Sequence, residues 1–391
     1  MPTTEQQEIR ALARDFADGE IRPHVARWDE TRELDADVFA KLAELGFLGM
    51  RVPEGHGGLE LDWTTYLLVL EELGRGDAAL ALSVAIHTGP VTELLLAHGT
   101  DEQKERWLPR LASGELLGAF ALSEADAGSD AAAVRTTAEP LGDGWRISGE
   151  KRWVTNGGRA GLVALFARTG GEEGGALSCF LLERPCDGYT VGARERTMGL
   201  RASETVTVTL NGVSVGGEAL LGEVGKGLQY ALEAIDVGRA AVAAQAVGIA
   251  QAAFEHATGY AMEREQFNTP LSRFGATQEK LAEMAARTEA ARALTLSAGE
   301  ALSERAASDR TERPGERTAT SRTAMAKLVA STTAAWVADE AVQIFGGYGY
   351  MRDYPVEKLM RDAKGTEIYE GTSEILRLVI AREVLAAAVK P

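Results

Sequence analysis

The hydrophobic pattern changes period twice along this chain, and that order of periods excludes most folds. Up to about residue 117, apolar residues return every three to five positions. Ile9, Leu12, Phe16 and Ile21 mark one segment; Phe39, Leu42, Leu45 and Leu48 mark a second, closed by Gly49. Such spacing lines one face of an α-helix. Leu61–Leu73 and Ala78–Ala97 continue it, with Gly55–Gly58 as a loop. From about 118 to 225 the pattern shortens. Trp145–Ile147, Leu162–Ala167, Cys179–Glu183 and Val206–Leu210 are short and rich in β-branched or aromatic residues, with turns at Gly142–Gly144, Asn156–Gly158, Gly170–Gly175 and Asn211-Gly212. They predict a compact β-domain, a small barrel or sandwich. Long helices then return: Leu228–Arg264, Gln278–Ser303, a segment with Met325, Leu328, Val329, Thr332 and Trp336 on one face, and Ser373–Val389. Four such helices predict a bundle. Arg305–Thr320, charged and carrying Pro314-Gly315, reads as the loop between the second and third.

Helix, sheet and helix in blocks make an α+β chain rather than a run of βαβ units, so no Rossmann-type dinucleotide site is expected. At about 150 residues per domain, 391 residues suggest two to three domains. The pattern resolves them as an N-terminal α-helical domain (1–117), a middle β-barrel domain (118–225) and a C-terminal four-helix bundle domain (226–391).

Several function classes fall away. Lys and Arg number 41 against 58 Asp and Glu, a net charge of −17. Phosphate backbones need a basic face, so nucleic acid is not expected as a partner. An anionic cofactor held by a few arginines remains compatible. Two cysteines, Cys179 and Cys186, make neither a disulfide framework nor a zinc site. The histidines, His24, His56, His87, His98 and His256, never pair at HxxxH spacing, so no metal is expected. Gly222–Gly227 has the look of a phosphate loop, but Gly227 stands where a P-loop needs Ser or Thr, which leaves a surface turn before a helix. Ser148–Lys151 matches SxxK without its partner motifs. No run of about 18 uncharged apolar residues is seen, so no membrane span is expected. Met1–Arg10 has no apolar signal region. A reducing, cytoplasmic location follows as the expectation.

Four segments carry chemistry. Leu122–Asp130, where the helical zone meets the β zone, has small residues for close backbone approach and the hydroxyls of Ser123 and Ser129. Lys151–Asn156 sets Trp153 and Thr155 two apart on one strand face, where a planar ligand could stack on the indole and bond to the hydroxyl. Gln343–Tyr350 ends a helix in a Gly-rich turn. Ile368–Ile375 places a lone carboxylate, Glu370, just before a helix N-terminus.

In this order and spacing these motifs resemble the acyl-CoA dehydrogenase family, closest to its short-chain and bacterial branches, over about residues 5–388. Gly99–Lys104 with Leu108-Pro109, Asp236–Arg239, Tyr260–Phe267 and Glu357–Ala363 add to the match. The resemblance implies a helical domain, a β-barrel and a four-helix bundle, assembled as a homotetramer with FAD. It implies α,β-dehydrogenation of an acyl-CoA thioester, with electrons passed to an electron-transfer flavoprotein. Glu370, in the family's IYEGT motif, would be the α-proton base, its pKa raised by burial. Phe120, Leu122 and Ser123 would meet the flavin on one side, Trp153 and Thr155 on the other, and Thr372 and Glu374 would join that site. Arg264, Phe267, Gln343, Gly346 and Gly347 would reach the FAD of a neighbouring subunit. Ser129, Asp236, Arg239 and Gly371 would contact the CoA or its pantetheine arm. Three departures from the family pattern stand out: Ala125-Asp126 replaces Pro-Gly, Asn268 replaces Gly, and Gly275 replaces a glutamine, for which Gln278 is a substitute. The competing expectation is the same chemistry on an acyl- or peptidyl-carrier-protein thioester.

Overall fold

A computed structural model describes residues 2–170, 175–307 and 319–388. Seven helices come first: α1 (Thr4–Phe16), α2 (Val25–Thr31), α3 (Ala36–Glu44), α4 (Trp63–Gly76), α5 (Ala78–Ile86), α6 (Thr92–His98) and α7 (Asp101–Ala112). Their starts are set by side chains that accept from orphan backbone N–H groups. Thr3 with Gln6 and Thr100 with Gln103 form capping boxes, and Asp62 and Asp77 cap α4 and α5.

Eight strands follow: β1 (Gly118–Ala121), β2 (Thr137–Leu141), β3 (Gly144–Thr155), β4 (Leu162–Thr169), β5 (Ala176–Glu183), β6 (Tyr189–Arg194), β7 (Thr205–Val215) and β8 (Leu220–Leu221). They form one sheet in the order β6-β7-β3-β2-β4-β5-β8, with β1 parallel to β4. The ladder ends at β6 and β8, so the expected barrel is an open one. Among the described residues, no strand pairs with the outer edge of β6 or of the two-residue β8. The sheet wraps one apolar core (Ile147, Val163, Leu165, Phe180, Val208). The other face of β4 and β5 (Leu162, Ala164, Phe166, Cys179, Leu181) joins a second core shared with the helices. Burial on both faces explains why Leu162–Ala167 is continuously apolar rather than alternating.

The last part contains α8 (Gly227–Glu263), α9 (Gly275–Ala307), α10 (Ala319–Phe345), α11 (Val356–Thr366) and α12 (Ser373–Ala388). A small hairpin, β9 (Glu265–Gln266) and β10 (Thr269–Pro270), links α8 to α9. The fourth expected helix, from Ser373, is α12, and α11 is a further helix before it. Most of the predicted 305–320 loop lies outside the described residues, as does the middle of the Gly170–Gly175 turn. Helix α4 packs directly on α8. A Cβ at Gly74 would sit 2.8 Å from the Gln245 carbonyl oxygen, and one at Gly248 would sit 2.3 Å from that of Glu71. These two glycines let the backbones touch. The segments Ala78–His98 and Gly227–Glu263 are long and apolar enough to cross a bilayer by length and composition, although charged residues such as Glu93, Asp236 and Arg239 interrupt them. They are core helices: 89% of each apolar window is buried inside the fold.

Candidate active site

The chain between α11 and α12 carries Glu370 on a turn held from two sides. Tyr369 donates its hydroxyl to Gln245 Oε1 on α8 at 2.7 Å. Lys327 Nζ on α10 donates to the Gly371 carbonyl at 2.6 Å. Glu370 and Gly371 both have positive φ, 55° and 96°. A left-handed glutamate is strained, and persists where its surroundings over-determine it. Its carboxylate occupies the space above Gly238 on α8, where a Cβ would lie 2.6 Å from both Cδ and Oε2. Oε2 is shielded from solvent and has no hydrogen-bond partner. Burial pushes the Glu370 pKa up to about 7, against the opposing pull of Arg239 and Lys327.

Arg239 and Asp236 lie buried beside it. Asp236 accepts from Arg239 at 2.9 Å, from Arg305 at 3.1 Å and from the Thr320 hydroxyl. Arg239 Nε is left buried and unpaired, 3.8 Å from where a Cβ of Gly371 would sit. Among the described residues, no acceptor meets the backbone N–H of Glu370.

The residues after β1 form a shelf against β3. Lys151 Nζ donates to the Leu122 carbonyl at 3.0 Å and pairs with Glu124 at 2.8 Å, and Arg152 N donates to the Ser123 carbonyl at 2.8 Å. Burial works to raise the Glu124 pKa, but Lys151 and Thr136 outweigh it and hold the carboxyl below its usual range. The same burial lowers Lys151 to about 8. Trp153 falls in a register shift between Lys151 and Val154, with φ 56°. The irregularity breaks strict strand alternation there and leaves the indole 55% exposed, while Thr155 is half-buried. Phe120 packs against Phe166 at 5.1 Å. Among the described residues, neither the Ser123 nor the Thr155 hydroxyl has a protein partner. An exposed indole beside two free hydroxyls fits a planar, hydrogen-bonding ring such as a flavin.

Family models for the acyl-CoA dehydrogenase N-terminal, middle and C-terminal domains match residues 3–115, 119–213 and 225–385. An acyl-CoA dehydrogenase of Bacillus subtilis is 42% identical, with 98% of each chain covered. The butyryl-CoA dehydrogenase of Megasphaera elsdenii superposes with a TM-score of 0.93 at 38% identity, over 98% of this chain and 99% of that one. An acyl-CoA dehydrogenase of Bacillus anthracis complexed with FAD superposes at 0.91 with 33% identity, over 99% of this chain and 68% of that one.

The chain belongs to the acyl-CoA dehydrogenase family.

In this acyl-CoA dehydrogenase, the remaining residues that the sequence nominates fall in two separate places. Glu370, Gly371, Asp236 and Arg239 lie together, where the α11–α12 turn meets α8. Thr372 caps α12 by accepting from Ile375 N at 3.4 Å, and Glu374 is exposed in the first turn of that helix. Ser129 is exposed in the loop before β2. The second group sits at the far ends of α8 and α10. Arg264 lies over the Tyr348 ring at 5.5 Å, Phe267 is 89% exposed, and Gln343 is exposed. A Cβ on Gly346 or Gly347 would touch nothing. Arg264 follows Gly238 by 26 residues of near-continuous helix, about 39 Å at 1.5 Å per residue.

Two departures from the acyl-CoA dehydrogenase pattern have local explanations. Phe267 and Asn268 form the β9–β10 turn with φ of 52° and 56°, a conformation asparagine adopts nearly as readily as glycine. The Gln278 amide donates to the Ser272 carbonyl at 3.0 Å. Ala125-Asp126 closes a turn between Glu124 and Ala127 with negative φ, so glycine is not required there. Sequence reasoning did not assign roles to Gly238, Lys327 or the Lys151–Glu124 pair. Gly238 lay inside the Asp236–Arg239 motif, and Lys327 is a lone cation in the alanine-rich stretch Ala324–Ala330. That mismatch with its neighbours was the available signal.

Proposed function

We propose that this acyl-CoA dehydrogenase oxidises a short-chain acyl-CoA to the trans-2-enoyl-CoA, with Glu370 as base and FAD as oxidant. The observation that carries the reading is the Glu370 carboxylate: shielded, unpaired at Oε2 and poised near neutrality. A base with a pKa near the working pH is ionised often enough to act and basic enough to take a weakly acidic proton. Glu370 takes the α-proton, and its own backbone N–H faces the charge that gathers on the thioester carbonyl. Bound FAD would supply the oxidising power by accepting the β-hydrogen as hydride. Phe120, Leu122, Trp153 and the Ser123 and Thr155 hydroxyls would hold the ring, with Thr372 and Glu374 at its edge. Ser129, Asp236, Arg239 and Gly371 would line the path of the pantetheine arm. The short-chain assignment is supported by the likeness to a butyryl-CoA dehydrogenase.

The distance from base to Arg264 exceeds the reach of one dinucleotide on the shelf. Arg264, Phe267, Gln343, Gly346 and Gly347 therefore serve the FAD of another subunit in a homotetramer. An electron-transfer flavoprotein would take the electrons, in the cytoplasm.

Anaerobic mixing of the yellow holoprotein with acyl-CoAs of increasing length tests this. Short chains should bleach the flavin fastest, with the rate falling about tenfold per unit below pH 7. Glu370→Gln should keep its FAD and lose bleaching by at least about 100-fold. Bleaching retained in that variant places the base elsewhere; bleaching only by carrier-bound acyl groups replaces CoA with a carrier protein.

A further inference from the structure

We propose that Lys327 is a positioning residue for the base: its buried cation fixes the Glu370–Gly371 turn and favours the ionised carboxylate. The inference rests on Glu370 being the base.

Among the described residues three lysines are buried, and two of them face carboxylates directly. Lys151 meets Glu124, and Lys358 sits between Asp77 and Asp362 at 2.8 and 2.6 Å. Lys327 has no exposed surface either, yet its ammonium donates to a carbonyl, Gly371 O. A buried cation without a contacting carboxylate is costly, and is kept where nearby negative charge offsets the cost. Here that charge comes from Glu370, then Glu367 and Glu374, with no direct ion pair to any of them. The carbonyl it grips belongs to the residue after the base, the second of two consecutive left-handed residues. The hydrogen bond therefore holds the part of the backbone that aims the carboxylate.

The charged and titratable groups around Glu370 come from five helices and the turn itself. Helix α8 supplies Arg239 and Asp236, and α9 supplies Arg305. Helix α10 supplies Lys327; α11 and the following turn supply Asp362, Glu367 and Tyr369; α12 supplies Glu374. Arg239 is directly paired with Asp236, so much of its charge is compensated. Among the described residues, no carboxylate touches Lys327, the other cation next to the base. Its effect on Glu370 is to lower proton affinity, opposite to burial. Without it, Glu370 becomes a group that ionises only at higher pH.

The test is the pH dependence of anaerobic flavin bleaching by butyryl-CoA, in holoprotein carrying Lys327→Met, Lys327→Gln or Lys327→Arg. The glutamine keeps a donor for Gly371 O and removes the charge; the arginine keeps the charge. The acid limb should move up by roughly one pH unit in the methionine and glutamine variants and stay at the wild-type position in the arginine variant. A limb unmoved in both neutral variants, with rates lowered evenly across pH, overturns the proposal. So does loss of flavin loading in all three variants, which marks Lys327 as a folding residue. Glu370→Gln is run alongside. If it bleaches normally the base assignment fails; if it does not, an unmoved limb counts against Lys327 alone.

Discussion

Glycine inside a helix is ordinarily a weak point, about 1 kcal/mol worse than alanine. At Gly238 the missing Cβ is the room that the Glu370 carboxylate fills. Gly238→Ala separates the two effects. The substitution favours helix α8, so the melting temperature should hold or rise. The carboxylate has to move, and displacement of a reacting group by about 1 Å can cost on the order of 100-fold in rate. Melting curves and bleaching rates on the same preparation check this; unchanged bleaching would mean that the turn relocates the base without loss. The same short distance explains why the base sits on a strained backbone. A left-handed Glu370 reaches into helix α8 from a turn whose flanks are tied to α8 by Tyr369 and to α10 by Lys327.

At the scale of elements, β3 does two jobs. Its first half pairs with β2 on one side and with β7 on the other, with one register shift between Ile147 and Gly149. Beyond Lys151 its register shifts, Trp153 turns outward, and Asn156 closes the strand. The Asn156 amide donates to the Ser83 and Gly118 carbonyls at 2.9 and 3.1 Å, tying the strand end to α5 and β1. The Lys151–Glu124 pair fixes the shelf opposite. Lys151→Met removes the cation, leaves Glu124 buried without it and releases the Leu122 carbonyl. Breaking a buried pair in this way costs about 3–5 kcal/mol. Chemical denaturation should register that loss. Gel filtration should show weaker flavin retention than in wild type, because Leu122 and Ser123 lose their anchor. Full flavin retention alongside the stability loss would detach the shelf from cofactor binding.

Across the whole molecule, the helical zones at the two ends of the chain are one packed body. Glu71 and Glu72 on α4 are met by Arg10 from α1, Arg75 from α4 itself and Arg292 from α9. That body holds the base near one end of α8 and Arg264 at the other. The spacing leads to a complementation experiment. Arg264→Ala chains keep the base but should lose FAD, and Glu370→Gln chains keep Arg264 but lack the base. Refolded or co-expressed together, they should form mixed oligomers with activity that neither has alone. A mixture no more active than its parts would place Arg264 outside the flavin site.

The sequence alone determined the block order of helix, sheet and helix, because hydrophobic period is a local property and each block is long enough to show it. It also singled out Glu370, through the resemblance of its segment Ile368–Ile375 to the acyl-CoA dehydrogenase pattern rather than through any local property of the carboxylate. Weak local signals were lost. Strand β1 is Gly-Ala-Phe-Ala, β2 contains Pro140 and β8 has two residues, so none carries a readable pattern. The middle of α8 gave no face to read because 236–250 is buried all round. Only the tertiary structure decided that α4 touches α8 through Gly74 and Gly248, that Gly238 makes space for the base, and that Lys327 lies under its turn. Each of these is a contact between residues far apart in the chain. Burial, which sets the proton affinity of Glu370, is a sum over such contacts and has no signature at any single position.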